Sequence, residues 1–322
     1  MRRSFVNSVI TAKIERVVQM SVRLKIYFGF LAICLLWGSS WAAVKLGLET
    51  IPPFLSLGIR FSIASIILGL VIIARRLDVP TDKKFWKLVF ILCSTSFTIP
   101  FMLIYWAQIQ VNSGLASVLF ATFPLWVAIF SHFFLPDERM TPQRIVGMAL
   151  GFLGVVVIFN NGFSDMSRTT LLGMIALIIG AIIQAFGLIA LRRFGKHMHP
   201  VMLNFWPMLL SAVILFAVSI GTEDYSTVLF DIKAIGSLVY LSIFCTVVTF
   251  VIYFWLVKHI EAVILSQSAF ITPVIAVFIG VIMMGEGFTS TAYIGSTIVL
   301  IGVAVATIGD LVAVYRRKIS ET

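Results

Sequence analysis

TLLGMIALIIGAIIQAFGLIAL, residues 170–191, runs for 22 positions without a charged side chain. About 20 residues of α-helix, at 1.5 Å each, cross the hydrocarbon core of a bilayer. A chain inside lipid must satisfy its own backbone hydrogen bonds, so such a stretch reads as a spanning helix. Moving outward with the same window finds ten of them: 26–46, 54–74, 86–107, 113–135, 142–161, 170–191, 200–220, 234–256, 261–284 and 291–313. The connections are short and leave no room for a water-soluble domain. The expected fold is therefore an all-α integral membrane protein of ten transmembrane helices.

Composition points the same way. Of 322 residues 60% are hydrophobic and only 12% charged, about half the charge of a soluble domain. The net charge of +10 does not mark a nucleic-acid surface, because the basic residues neither line a groove nor interleave with exposed aromatics. They lie on alternate loops. With the N-terminus inside, 20 of the 24 lysines and arginines fall on cytoplasmic segments; only Arg168 and Lys233 fall outside, and Lys45 and Arg60 lie within apolar segments. That bias places both termini in the cytoplasm and requires an even number of crossings. Residues 1–25 are basic and moderately polar and carry no secretory signal. They form either an amphipathic helix on the inner membrane surface or a leader to a start at Met20. Cys34, Cys93 and Cys245 all sit in apolar segments, so a disulfide framework or metal site is not expected from them.

The halves resemble each other. A shift of 149 residues places Trp106 on Trp255, Ser117 on Ser266 and Pro124 on Pro273; after a slip of one, Thr141 falls on Thr289, Gly147 on Gly295 and Gly154 on Gly302. Each unit holds five helices, an odd number, so the second enters the membrane inverted. Inverted repeats are a mark of secondary transporters, with the substrate site near the midplane where the repeats meet. The expected division is a cytoplasmic segment 1–25, repeats 26–161 and 168–315, and a tail 316–322.

Trp37-Gly38-Ser39-Ser40-Trp41-Ala42-Ala43-Val44-Lys45-Leu46, then Pro52-Pro53-Phe54 and Leu57-Gly58-Ile59-Arg60-Phe61, resembles the opening of an EamA-type transporter of the drug/metabolite transporter superfamily. Helices four and nine carry a mid-helix proline and end in Asp137-Glu138-Arg139-Met140-Thr141 and Gly285-Glu286-Gly287-Phe288-Thr289, which is similar to the family pattern; Pro136-Asp137-Glu138 departs from its usual Gly-Glu. The resemblance implies a central cavity built by helices one to four and six to nine. It also implies export or exchange of amino acids or related metabolites in the inner membrane.

Arg60 lies about 9 Å below the outer end of helix two, reckoned at 1.5 Å per residue. Arginine at such depth is costly and faces a cavity or a partner. Two accounts stand: it bonds backbone carbonyls or headgroups, or it meets an anionic group on a substrate. Trp37, Trp41, Tyr105, Ser117, Gln184, Trp206, Tyr253 and Ser266 complete the expected substrate pathway, and each is also explicable as packing. Pro124 and Pro273, at matched positions, read as paired hinges or as simple kinks. Lys45 is expected to snorkel to the outer interface, and Glu138 and Glu286 to end helices or gate the two openings. His132 reads as an interfacial residue. No carboxylate falls near the midplane, so proton coupling through a buried Asp or Glu is not expected.

Gly173, Gly180 and Gly187, Gly295, Gly302 and Gly309, and Gly147, Gly151 and Gly154 form close-packing stripes, serving either contacts within one chain or a dimer seam. No phosphate loop, nucleotide fingerprint, metal spacing or nucleophile–base pair appears. The expectation is a carrier with no cofactor, metal or catalytic residue. Its partners would be a small-molecule substrate and the lipid bilayer, not nucleic acid, as a monomer or homodimer. A nucleotide-sugar or phosphorylated-sugar carrier and a non-transporting membrane sensor are the alternatives. An intramembrane enzyme would need a catalytic pair at depth.

Overall fold

The computed structural model describes residues 2–135, 141–160, 167–260, 262–266, 268–287, 289–291, 293–302 and 304–305. The loop around Glu138, Gly309, Asp310 and the tail lie outside the described residues. Ten apolar helices follow one another: α1 Arg2–Gly47 (apolar over Val22–Gly47), α2 Pro53–Arg75, α3 Lys83–Gln110, α4 Ser113–Phe134, α5 Pro142–Asn160, α6 Arg168–Phe194, α7 Pro200–Thr222, α8 Ile232–Leu256, α9 Ile264–Met284 and α10 Tyr293–Gly302. Eight have the length and apolar character of full spans, and α5 and α10 are the shorter pair. No strand occurs among the described residues. The N-terminal basic segment continues α1 as helix from Arg2.

Local chemistry sets the ends. Asp82, Ser167 and Asp231 accept the amides of Lys84, Thr170 and Ala234 as N-caps. Pro53, Pro142 and Pro200 occupy first helical positions, where a missing N–H costs nothing. Large apolar side chains cover the outer surface, with Ile73 at 74% and Met283 at 78% exposure. Such a surface belongs in lipid rather than water.

The packing has the pseudo-two-fold pattern of two inverted five-helix repeats. α2 runs along α7, and α4 along α9; α1 packs on α8 and α9 as α6 packs on α3 and α4. The symmetry reaches single hydrogen bonds. The Lys45 ammonium donates to the carbonyls of Gln108 at 2.7 Å and Val111 at 3.5 Å, at the C-terminus of α3. The Arg192 guanidinium donates to those of Val257 and, at 2.8 Å, Ile260, at the C-terminus of α8. Val257 and Ile260 are Gln108 and Val111 shifted by 149 residues. Lys45 therefore does not snorkel outward: the orphan carbonyls of a neighbouring helix offer stronger acceptors than headgroups.

Glu286 ends α9 and caps α4, taking the Ser113 amide at 2.8 Å and the Gly114 amide at 3.0 Å. Glu223 does the same for α2, taking the amides of Phe54 at 2.6 Å and Leu55 at 2.8 Å.

The glycine stripes are consumed inside the chain. A Cβ on Gly154 would stand 2.5 Å from Val299 N, and one on Gly302 would collide with Gly151 N, so α5 and α10 cross backbone to backbone. Gly173, Gly180 and Gly187 bring α6 onto α3 at Val111, Pro100 and Ser96. A dimer seam is not needed to explain them.

Candidate functional site

Three departures from regular helix shape the interior. In α3 the Ile99 amide reaches back five residues to Ser94 O, and in α8 the Thr249 amide reaches Phe244 O. These π-turns, Cys93–Thr98 and Ile243–Val248, are related by a shift of 150. Each leaves a carbonyl without its ordinary donor, a feature common at functional positions. Pro100 sits just after the first π-turn, which absorbs its missing N–H. In α4 the helix stops at Phe120 and restarts at Phe123, with Pro124 in the new first turn.

Each π-turn receives a polar side chain from the second helix of the opposite repeat. Ser211 of α7 bonds Thr98 Oγ1 at 2.8 Å. Arg60 of α2 enters the turn in α8. Its Nε donates to Thr246 Oγ1 at 2.7 Å, Nη1 to the Tyr105 hydroxyl at 2.9 Å and Nη2 to Cys245 O at 3.4 Å. The guanidinium also lies 5.1 Å from the Phe101 ring centroid. Arg60 is 2% exposed, and none of these partners is a carboxylate; the one ion pair among the described residues, Lys233 with Glu49, is at the surface. Of the three bonds only the longest goes to a backbone carbonyl; the other two go to side-chain hydroxyls, and together they use three of the five guanidinium donors.

A cavity opens beside it, about 680 Å³ with its open mouth counted. α1 contributes Trp37, Ser40, Trp41 and Val44. Arg60 comes from α2, and Phe101, Ile104, Tyr105 and Gln108 from α3. Phe120 and Phe123 flank the break in α4; Gln184, Tyr253, Ser268 and Thr272 close the wall from α6, α8 and α9. Trp41 packs on Phe120 with centroids 5.7 Å apart, and Trp37 on Tyr253 at 5.1 Å. No acidic side chain is among the lining residues. Gln108 is fully buried with neither amide atom bonded within the protein, and Gln184 Oε1 is likewise without a partner.

Six of the nine expected pathway residues meet at this cavity: Trp37, Trp41, Arg60, Tyr105, Gln184 and Tyr253. Three do not line it. Ser117 turns its hydroxyl back to Gly114 O at 2.6 Å, Ser266 is buried away from the lining, and Trp206 packs on Trp86 at 4.9 Å. Depth along the helix assigned these residues, but the face of the helix decides, and they point elsewhere. Pro273 lies inside the continuous stretch Ser268–Met284, whereas Pro124 sits in the first turn of the restarted helix Phe123–Phe134. α7 supplies no lining residue, although the resemblance expected it to. Gln108, Ser40, Phe101, Phe120, Phe123, Ser268 and Thr272 were not expected.

Two inverted repeats enclosing a cavity whose wall holds a buried cation define a membrane carrier of the secondary-transporter class. The chain belongs to the EamA-like transporter family, whose profile matches residues 24–160 and again 171–308. YoaV of Bacillus subtilis, an uncharacterized transporter, is 28% identical over 284 residues, covering 88% of this chain and 97% of its own. PagO of Salmonella typhimurium is 30% identical over 250 residues, 77% of this chain and 81% of its own. YedA of Escherichia coli K12, an uncharacterized inner membrane transporter, is 25% identical over 289 residues, 89% and 92%. A solved crystal structure, 22% identical, matches the fold with a TM-score of 0.67 over 88% of this chain and 97% of that one.

Proposed function

We propose that this transporter exports or exchanges amino acids or related small metabolites by alternating access of the central cavity, and that it is not an enzyme. The observation that carries this reading is Arg60: a guanidinium buried in a largely aromatic cavity, held by uncharged partners and with donors to spare. A carboxylate-bearing solute of modest size supplies what the site lacks. A nucleotide-sugar carrier would want several cations for its phosphates, and one lines the cavity. On this reading the repeats span 26–161 and 168–315 in the inner membrane, with segments 1–25 and 316–322 in the cytoplasm. The wide packing of α2 along α7 and α4 along α9 supplies sliding faces for the two repeats. Counterflow in proteoliposomes loaded with a mixture of amino acids and their hydroxy- and keto-acid relatives is the test. Saturable exchange of at least one solute is expected; absence of exchange with every solute would defeat it.

A further inference from the structure

We propose that the cavity selects an organic monoanion, a carboxylate on an apolar or aromatic body bearing a neutral hydrogen-bonding group, and that Gln108 reads that group. This rests on the transport reading above and narrows its substrates to the hydroxy- and keto-acid relatives, setting the zwitterionic amino acids aside.

The first observation is charge balance. Among the described lining residues Arg60 is the one ionised side chain, and none of them is a carboxylate. Outside the lining, Lys45 and Glu286 lie within electrostatic reach of each other at the outer end and offset one another. A carboxylate entering beside Arg60 therefore leaves the cavity neutral. A zwitterion leaves it with a net positive charge, and its ammonium finds no anion. Burying an unbalanced charge is strongly unfavourable.

The second observation is independent. Gln108 is wholly buried, yet its Oε1 and Nε2 have no partner in the protein. A buried carboxamide serving only structure is normally bonded. Trp126 and Trp206 also leave an Nε1 unbonded, but neither lines the cavity. Gln108 combines the two properties: unpartnered and facing the cavity. Its backbone is anchored by the Lys45 bond to its carbonyl. A carboxamide donates and accepts without carrying charge, which matches a hydroxyl, keto or amide group. Gln184 Oε1 offers a second acceptor across the cavity.

Four probes with one phenyl body separate the terms: 3-phenyllactate (monoanion with hydroxyl), 3-phenylpropionate (monoanion without it), phenylalanine (zwitterion) and phenethylamine (cation). Binding to the purified full chain is read by quenching of tryptophan fluorescence, since Trp37 and Trp41 line the cavity, with counterflow alongside. Phenyllactate is expected to bind about tenfold or more tighter than phenylalanine, and phenethylamine not at all. Gln108→Leu is expected to lower phenyllactate affinity about tenfold, the value of one well-made hydrogen bond, and to leave phenylpropionate unchanged. A merely structural glutamine would weaken both alike. Gln108→Glu adds the missing anion and should move preference toward phenylalanine. If neither variant folds, the four-probe order in the unaltered chain still decides. Phenylalanine binding as tightly as phenyllactate, or equal loss of both monoanions in Gln108→Leu, overturns this inference while leaving transport intact. No binding or exchange by any of the four probes overturns this inference; the transport reading falls only if the wider solute mixture also fails to exchange.

Discussion

Replacing Glu286 by alanine removes a cap that ties the second repeat to the first. The two carboxylate oxygens hold the Ser113 and Gly114 amides at 2.8 and 3.0 Å, and both residues are buried. Each orphaned buried donor costs about 1–3 kcal/mol. Glu286 itself is partly exposed, so water replaces some of what is lost, and about 2 kcal/mol in total is a fair expectation. Glu286→Gln keeps one accepting oxygen but loses the charge opposite the positive end of α4, and should cost about half as much. The assay is thermal unfolding in detergent, followed by tryptophan fluorescence, with Glu223→Ala as the matched cap on α2. A stability order of parent, Gln variant, Ala variant is expected. An Ala variant that melts with the parent would show that the carboxylate is not what orders the start of α4, and the latch described between the repeats would fall with it.

Gly154→Ala forces a methyl to 2.5 Å from Val299 N, which should cost about 1–3 kcal/mol as overpacking without changing the oligomeric state in size-exclusion chromatography with light scattering; a changed state with unchanged stability would restore the dimer-seam account. Burial, reinforced by the Lys258 ammonium, holds His199 below its ordinary value of 6.5, and its neutral Nδ1 accepts the Val201 amide at the start of α7. The folded state thus resists a proton that the unfolded state takes, so this contribution is whole above about pH 6.5 and fades as pH falls through that value; because the ring is largely exposed the effect should be only a few tenths of a kcal/mol, seen as a small melting difference between pH 7.5 and 5.5 that His199→Asn abolishes. For topology, single cysteines at positions 80 and 196 are expected to be protected from an impermeant thiol reagent in intact cells and one at 165 to react; labelling at 196 would invert the orientation.

The ten helices were legible because a bilayer dictates length and apolar content, and the segment bounds follow from that alone. Arg60 was legible because a charge at depth demands a reason. What the sequence hid was azimuth. In a helix with lipid on one side and protein on the other, both faces are apolar, and periodicity does not say which way Trp206, Ser117 or Ser266 turns. The same blindness covered Phe101, Phe120 and Phe123, three of 28 phenylalanines. The π-turns at Cys93–Thr98 and Ile243–Val248 are shifts in backbone bonding with no residue signature of their own. They became visible as a pair only once the repeat was laid over the fold. Lys45 was misjudged because its acceptors, Gln108 O and Val111 O, belong to another helix. Gln108 has no mark of its own in the sequence; its burial and its unbonded amide single it out.

The most direct test of the account is Arg60→Met in purified, reconstituted protein that elutes as a single folded species. Thr246, Tyr105 and Cys245 O then lose their cationic donor, and the cavity loses the one ionised side chain among its described lining residues. Binding and counterflow of the carboxylate-bearing solute identified in the exchange screen are measured beside the unaltered chain and Arg60→Lys. The account predicts that binding and flux collapse in Arg60→Met and fall partly in Arg60→Lys, which keeps the charge but not the planar fork of donors. Unchanged affinity and flux in Arg60→Met would remove Arg60 from the substrate site and contradict the account at its centre.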